Sequence, residues 1–218
     1  MPQDRGAVAR WLSQRVNLGG VSIAARALGT PRGGVSVAVP HIRVRDASQI
    51  DWVALRRRGL RGVVFDKDNT LTRPYAPALE PHIKESVAAA QREFDGRVAI
   101  LSNSAGLVSY DPRGDVARAV EERLGLGVIR HAKKKPELEP QALLAHFDGV
   151  PIADLVFVGD RTFTDVAFGN RLGCLTIRVE PFTTKGENLV VRFARWLEGI
   201  LEGILERKGC IPPHHARW

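Results

Sequence analysis

One stretch of this sequence decides its fold: Val63-Val64-Phe65-Asp66-Lys67-Asp68-Asn69-Thr70-Leu71. The apolar residues at its start are typical of a short buried strand, and the polar residues after them predict a turn. Because the chain curls where a strand ends, Asp66 and Asp68 can converge on one reaction centre. One carboxylate can then act as nucleophile and the other as general acid and base, with a divalent cation easing their repulsion. A turn rich in Asp and Asn that only caps a helix would have the same local pattern.

Three further polar motifs follow apolar runs downstream, each at a predicted strand end. Ser102-Asn103 follows residues 98–101, Lys135-Pro136 follows residues 127–129, and Gly159-Asp160 follows residues 155–158, with Asp165 five residues after Asp160. Four motifs in this order favour an enzyme over an isolated capping turn.

From about residue 60 the pattern alternates between strand and helix, which predicts an α/β fold. We expect a Rossmann-type parallel sheet with helices on both faces. The predicted strands are residues 62–65, 97–102, 127–129, 154–159 and 175–179, and the predicted helices are residues 80–93, 115–124, 140–146 and 164–172. All candidate site residues then lie at the carboxyl ends of strands, where open α/β sheets bind their ligands.

The spacing of the motifs argues against a cap domain. About 35 residues separate the first motif from the second, and about 30 separate the second from Lys135. Each gap has room for a helix and its connections, and none for a separate lid. An open site suits a reacting group carried on a large body such as a protein, a nucleic acid or a membrane surface, although a partner subunit can also supply a lid.

The amino-acid composition is typical of a globular protein, and its net charge is positive. The 218 residues are 44% hydrophobic and 26% charged, which is ordinary for one folded domain. No apolar run approaches the roughly 18–20 residues that span a bilayer. Cys174 and Cys210 lack metal-type spacing, so a reducing compartment is expected. The net charge of +8 favours polyanionic partners such as nucleic acid, anionic lipid or phosphorylated substrates.

We divide the chain into a basic extension, residues 1–45, and one α/β domain, residues 46–218, that contains all four motifs. The extension contains one acidic residue, Asp4, and no lysine. It has apolar residues at helical spacing: Val8, Trp11, Leu12 and Val16. Such a segment is compatible with a targeting presequence, a helix lying in a membrane interface, or a helix packed on the domain.

A C-terminal helix is predicted at about residues 187–207. Its apolar stripe comprises Val190, Phe193, Leu197, Ile200, Leu201 and Ile204. Glu198, Glu202 and Glu206 recur at four-residue spacing on another face. Because an acidic ridge opposes docking on anionic lipid, we interpret this helix as core packing or as a surface for homo-oligomer formation.

The four motifs resemble those of the haloacid-dehalogenase-like (HAD) phosphatases. The residues of these motifs are similar to those of the mitochondrial phosphatidylglycerophosphate phosphatases of fungi and plants and their bacterial relatives. The similarity extends over about residues 17–190. The resemblance is carried by Phe65-Asp66-Lys67-Asp68-Asn69, Leu101-Ser102-Asn103-Ser104-Ala105-Gly106, Arg130-His131 before Lys134-Lys135-Pro136, and Gly159-Asp160-Arg161-Thr162-Phe163-Thr164-Asp165.

The resemblance implies a HAD-like fold and a role for each motif. Asp66 is expected to attack phosphorus and form an aspartyl-phosphate, while Asp68 protonates the leaving oxygen and later takes a proton from water. Ser102 and the backbone N–H of Asn103 are expected to bind the phosphoryl group. Lys135 would neutralise the phosphate and hold Asp66, and its place before Pro136 favours it over Lys133 and Lys134.

Mg²⁺ is the expected cofactor, since it is a hard ion bound by few carboxylates and a phosphate oxygen. Asp66 and Asp160 are the expected side-chain ligands, and the resemblance adds the backbone carbonyl of Asp68. Asp165 is expected to support the metal's outer shell or to orient Lys135. A carboxylate that only interacts with the dipole at a helix N-terminus would occupy the same position in the sequence.

A basic rim for binding substrate is predicted from Lys134, Arg130 and His131. Alternatively, His131 has a structural role or faces solvent, as single histidines often do.

The implied reaction is hydrolysis of phosphatidylglycerophosphate to phosphatidylglycerol, a step towards cardiolipin. The expected location is the matrix side of the mitochondrial inner membrane, with peripheral association to anionic phospholipid. Lys and Arg near such a surface contribute on the order of 1 kcal/mol each.

A capless phosphatase for a phosphoprotein or a nucleic-acid terminal phosphate is the alternative. The tryptophans do not form a stacking series, so no nucleic acid is expected. A non-enzymatic adaptor would require loss of an acidic motif residue, and none is lost.

Overall fold

A computed structural model describes residues 18–187 and 189–218, with only the backbone described for residues 18–21. The apolar spacing predicted to form a helix around Trp11 lies outside these residues. Among those described, no helix combines the length and apolar character that crossing a membrane requires.

The described residues form a six-stranded parallel sheet with strand order β1-β6-β5-β2-β3-β4. The strands are β1 (Ile42–Arg43), β2 (Gly62–Phe65), β3 (Val98–Ile100), β4 (Gly127–Val128), β5 (Leu155–Gly159) and β6 (Leu175–Arg178). All residues of β2 and β5 are buried, as expected for central parallel strands covered on both faces. The predicted α/β fold with a parallel sheet is therefore confirmed, and β1 is a strand that the sequence pattern did not predict.

Helices connect the strands and cover the sheet. They are α1 (Leu18–Gly29), α2 (Trp52–Arg57), α3 (Lys84–Glu93), α4 (Asp115–Leu124), α5 (Gln141–His146), α6 (Ala167–Leu172) and α7 (Leu189–Arg207). The helix predicted at residues 164–172 is divided into one π-helical turn, Thr162–Val166, and α6. The connections from β2 to β3 and from β3 to β4 each contain one α-helix.

Two apolar layers flank the sheet because alternate side chains of a strand point to opposite faces. On one face, Val63 and Phe65 pack with residues of α2, α3 and α4. On the other face, Val64 and Phe157 pack with residues of α5 and α6. Packing on both sides holds the central strands in place, and so positions the loops at their carboxyl ends.

The boundary drawn at residue 45 does not separate two structural units. Strand β1 lies before it and pairs with β6 through Ile42 and Ile177. Ala27 of α1 and Ala38 are buried against α7 residues Leu201 and Leu205. Residues from α1 onward therefore belong to the same packed body as the sheet.

Helix α7 divides its apolar residues between the core and the surface. Leu201 and Leu205 are buried, and Glu198 faces the protein with only 1% of its surface exposed. The remaining apolar stripe points outward. Its exposed members are Leu189, Val190, Phe193, Trp196, Leu197 and Ile200. The expectation of core packing is wrong for Val190, Phe193, Leu197 and Ile200 of the predicted stripe, and a surface for homo-oligomer formation stays a prediction.

Candidate active site

The polar motifs meet at the carboxyl edge of the sheet. Asp66 directly follows β2, Asp160 directly follows β5, and Ser102 lies two residues after β3. Lys135 reaches the same place from the loop after β4. One ligand atom from each of Asp66, Asp160 and Asp165 lies within 4.8 Å of the others, so residues about 100 positions apart form one acidic cluster.

Lys135 lies inside this cluster. Its Nζ is 2.6 Å from Asp66 Oδ1 and 2.7 Å from Asp165 Oδ1, and 1% of its side chain is exposed. The two carboxylates raise the pKa of Lys135 against the opposing effect of burial, so the amine is charged at neutral pH. Lys135 therefore contacts both carboxylates at once, and the predicted role of Asp165 in orienting Lys135 would use this contact.

Asp165 is held beside β5 by a close approach of the backbone. A Cβ on Gly159 would lie only 2.4 Å from the Cβ of Asp165, so any larger residue would displace that carboxylate. Asp165 Oδ2 also accepts a hydrogen bond from Arg161 N at 3.0 Å. The glycine of the Gly-Asp motif thus has a steric role at the site.

A second cation, Arg195 of α7, enters the cluster. Its Nη2 donates to Asp160 Oδ2 at 2.5 Å and to Glu187 Oε1 at 2.6 Å. Asn69 of the first motif donates from Nδ2 to the same Glu187 oxygen at 2.7 Å. The start of α7 is therefore tied to the loop that follows β2. Sequence reasoning missed Arg195 and Glu187, because neither belongs to a motif and only the folded chain brings them to the site.

The cluster has an excess of negative charge. Burial raises the pKa of Asp66 to about 7, with Lys135 opposing that rise and the neighbouring carboxylates adding to it. Burial likewise raises the pKa of Asp160 to about 6, and Arg195 opposes that rise. Four carboxylates, Glu187 included, face the two cations Lys135 and Arg195, so the remaining formal charge is negative and one divalent cation would balance it.

The residues fit a magnesium ion. Asp160 is 1% exposed, and its Oδ1 is a buried oxygen with no hydrogen-bond partner among the described residues. A buried carboxylate oxygen without a partner is costly unless a cation or water completes it. Carboxylate oxygens are also the ligands that Mg²⁺ prefers. Asp66 and Asp160 are the residues that would hold the ion, with Asp165 beside them.

Asp68 lies outside the acidic cluster, at the edge of the site. Its Oδ1 accepts from Lys67 Nζ and from Tyr75 N, both at 2.9 Å, and its Oδ2 accepts from Ser104 Oγ at 3.1 Å. The half-buried Asp68 side chain is thus held apart from Asp66. Its carboxylate does not join the metal cluster, so a contribution to the metal would come from its backbone carbonyl, as the resemblance implied.

Ser102 and Asn103 occupy the second motif loop. Ser102 is 2% exposed, and its Oγ lies 2.8 Å from Ser104 Oγ. Asn103 Oδ1 accepts from the backbone N of Lys135 at 2.9 Å. The Asn103 side chain therefore positions the lysine, which is a role additional to the phosphate contact predicted for its backbone N–H.

His131 and Arg130, which were predicted to belong to a basic rim, contact other groups of the protein. His131 is 4% exposed, and its ring nitrogens lie 2.9 Å from Ser102 O and 2.7 Å from Lys133 O. Burial lowers the His131 pKa. Arg130 forms a bidentate pair with Glu121 of α4, at 3.0 and 2.9 Å. Their polar atoms already join protein elements, and the binding of substrate by these two residues stays a prediction.

Lys134 points away from the acidic cluster. Its Nζ lies 3.1 Å from Tyr110 Oη and 4.6 Å from the centre of that ring. The half-buried Lys134 is therefore placed for a rim contact, whereas Lys135 is placed for the chemistry.

Comparisons with known proteins all point to one family. A family model described as mitochondrial PGP phosphatase matches residues 30–182. The chain is 44% identical over 205 residues to phosphatidylglycerophosphate phosphatase 1, chloroplastic, of Chlamydomonas reinhardtii, covering 94% of this chain and 75% of that protein.

Two other relatives carry related names. The chain is 41% identical to phosphatidylglycerophosphate phosphatase 1, chloroplastic/mitochondrial, of Arabidopsis thaliana, covering 94% of this chain and 58% of that protein. It is 31% identical to a probable mitochondrial phosphatidylglycerophosphatase of Schizosaccharomyces pombe, covering 63% of this chain and 68% of that protein.

Proposed function

This chain belongs to the mitochondrial PGP phosphatase family, and we propose that it hydrolyses phosphatidylglycerophosphate to phosphatidylglycerol with Mg²⁺ as cofactor. The observation that carries the catalytic part is the buried contact of Lys135 with Asp66 and Asp165, beside an Asp160 oxygen that lacks a partner among the described residues. This arrangement suits a carboxylate nucleophile that must approach a phosphate dianion.

In the proposed mechanism, Asp66 attacks phosphorus and the bond from phosphorus to the lipid glycerol oxygen breaks. Lys135 holds Asp66 Oδ1 at 2.6 Å, which leaves the other oxygen of that carboxylate to form the new bond. Asp68 gives a proton to the leaving glycerol oxygen. Water then attacks the aspartyl-phosphate and Asp68 takes its proton, so inorganic phosphate is released and Asp66 is restored.

Bound Mg²⁺ would supply positive charge that stabilises the phosphoryl oxygens as the reaction proceeds. The chain's own cations support the same task. Without them, repulsion between Asp66 and the phosphate would cost several kcal/mol. Ser102 and the backbone N–H of Asn103 are proposed to bind the phosphoryl oxygens opposite Lys135.

We also propose peripheral association with an anionic membrane. The net charge of +8 and a phospholipid substrate support it. Activity on lipid-presented substrate should then fall with rising salt more steeply than activity on a small phosphate ester. Equal salt sensitivity for both substrates would contradict electrostatic docking.

The proposed location is mitochondrial, at the matrix side of the inner membrane. The relatives from Arabidopsis and S. pombe support the mitochondrial part through their names. Fractionation of the source cells, with carbonate extraction of the organelle membranes, tests the location and the peripheral association together.

One experiment separates this function from the alternative. Phosphate release should be measured with phosphatidylglycerophosphate, a phosphopeptide and a 3′-phosphorylated oligonucleotide, in Mg²⁺ and then in EDTA. We expect turnover of the lipid alone, loss of turnover in EDTA, and none in Asp66→Asn. Preference for the peptide or the oligonucleotide would instead support a phosphoprotein or nucleic-acid phosphatase.

A further inference from the structure

Helix α7 presents an apolar face without a covering element among the described residues. Six side chains on this face are exposed: Leu189 at 78%, Val190 at 42%, Phe193 at 59%, Trp196 at 59%, Leu197 at 40% and Ile200 at 43%. They recur at helical spacing, so they form one continuous stripe. Phe193 and Trp196 stack with their ring centroids 5.6 Å apart. An exposed stripe of this composition indicates an interaction surface.

The opposite face of α7 is anchored to the protein by ion pairs. Glu198 Oε2 accepts from Arg161 Nε at 2.8 Å, and Glu198 Oε1 accepts from Phe163 N at 3.1 Å. Glu202 pairs with Arg178 and with Arg43, both at 3.0 Å. Glu198 and Glu202 therefore face inward and are neutralised, whereas Glu206 stays exposed. The two inward glutamates cannot repel an anionic surface as they would from the outer face, and their ion pairs prevent the helix from rotating its apolar stripe into the core.

The charges beside the stripe are mostly positive. The exposed charged side chains of α7 are Arg192, Arg207 and Glu206. Arg192 lies one helical turn before Trp196, and Glu206 lies on the flank nearest Arg43, 3.8 Å from its guanidinium. A tryptophan with an exposed arginine one helical turn away fits a helix lying in the interface of an anionic bilayer. Two copies of this face would bring like charges together.

The stripe is also next to the active site. Arg195, on the side of α7 turned towards the protein, binds Asp160 at 2.5 Å, and Glu187 precedes the helix and is bound by Asn69 of the nucleophile loop. A lipid surface in contact with Phe193 and Trp196 therefore lies close to the mouth of the site.

From these observations we propose that the outer face of α7 is the membrane-docking surface of this protein, and that it inserts Phe193 and Trp196 into the interface of an anionic bilayer. The inference deepens the proposed function and rests on a lipid substrate. It assigns the docking role to a helix whose sequence pattern argued against it.

Vesicle binding of the full chain tests the proposal. Cosedimentation should be compared on vesicles of phosphatidylcholine alone and of phosphatidylcholine with phosphatidylglycerol. The double variant Phe193→Ser/Trp196→Ser should bind the anionic vesicles at least about tenfold more weakly than the wild type, since two apolar side chains no longer leave water. The matched control Val53→Ser/Val116→Ser alters two exposed valines on α2 and α4 and should change binding less than about twofold.

Fluorescence locates the contact. In a Trp11→Phe/Trp218→Phe background the remaining tryptophans are Trp52, which is 4% exposed, and Trp196. Anionic vesicles should shift the emission to shorter wavelength, and brominated lipid should quench it. An unchanged spectrum on bound vesicles would overturn the proposal.

Two further measurements distinguish the other outcomes. Turnover of a water-soluble phosphate ester should be the same in the wild type and in both double variants. Wild-type vesicle binding without any phosphatase activity would contradict the proposed function but leave the docking surface supported. If the Phe193→Ser/Trp196→Ser variant keeps its vesicle binding and instead loses a dimer seen by sedimentation, the face joins two copies and the proposal is wrong.

Discussion

Replacement of Lys135 by alanine is the sharpest test of the site, because its neighbour provides a control. The Nζ of Lys135 is 2.6 Å from Asp66 and 2.7 Å from Asp165 in a nearly fully buried position. The Nζ of Lys134 instead lies 3.1 Å from Tyr110 Oη, nearer the surface. The two variants remove the same side chain one residue apart.

The expected losses of stability differ. Removing one partner of a buried ion pair costs about 3–5 kcal/mol, whereas an exposed charge contributes about 0–1 kcal/mol. For a chain of this size 1 kcal/mol corresponds to about 2–4 °C in the melting temperature. Lys135→Ala should therefore melt roughly 6–20 °C below the wild type, and Lys134→Ala less than about 4 °C below it.

The loss of stability in Lys135→Ala should also depend on pH. The pKa of Lys135 is raised above its usual 10.5, so the wild-type lysine stays charged from pH 5 to pH 8 and its stabilisation is lost only in strong base. In Lys135→Ala, Asp66 no longer has its cation, and its carboxylate, whose pKa burial already raises to about 7, can take up a proton at low pH. The stability difference from wild type should shrink between pH 8 and pH 5.

Thermal and urea unfolding at both pH values, without metal, measures these quantities, and phosphate release measures activity. Lys135→Ala should lose at least about 100-fold in kcat, the usual effect of removing a group that stabilises developing charge. If Lys134→Ala is the inactive and less stable variant, the assignment of the lysine is off by one residue. A deficit of Lys135→Ala that is identical at pH 5 and pH 8 would refute the ion-pair reasoning.

Three other predictions concern the same cluster. Asp66→Asn should abolish turnover while the far-ultraviolet circular dichroism stays native, and appreciable turnover would exclude Asp66 as nucleophile. Because the pKa of Asp66 is raised to about 7 and that of Asp160 to about 6, the metal-free protein should lose stability as the pH rises from about 4 to about 7. Mg²⁺ should then raise the melting temperature more at pH 8 than at pH 5, and a rise independent of pH would contradict that carboxylate set. Arg195→Ala should lower the melting temperature by breaking the pair with Asp160, whereas Arg192→Ala, an exposed residue of the same helix, should not; equal effects would remove the special role of Arg195.

Much of the fold followed from local patterns. Central strands such as β2 and β5 are short apolar runs that end in polar turns. Both the apolar runs and the turn residues that bound them can be recognised in the sequence. The place of Asp66 at a strand end also follows locally, because parallel strands direct their carboxyl ends to one edge. The edge strand β1 was missed because two residues carry no readable period.

Helix α7 shows what local patterns could not decide. Its sequence contains both an apolar stripe and an acidic ridge, and either could face the core. The choice depends on Arg161, Arg178 and Arg43, which lie 37, 24 and 159 positions from their glutamate partners. Such pairs exist only after the sheet has formed.

The sequence by itself therefore determined the α/β architecture and the order of the motif residues along it, since both depend on period and spacing. The tertiary structure alone decided that Arg195 and Glu187 join the acidic cluster, that Arg130 and His131 contact other protein groups, and that part of the apolar stripe of α7 is exposed. The physical reason is that charge pairing and burial act between elements, so the environment of a side chain depends on neighbours that its own segment does not contain.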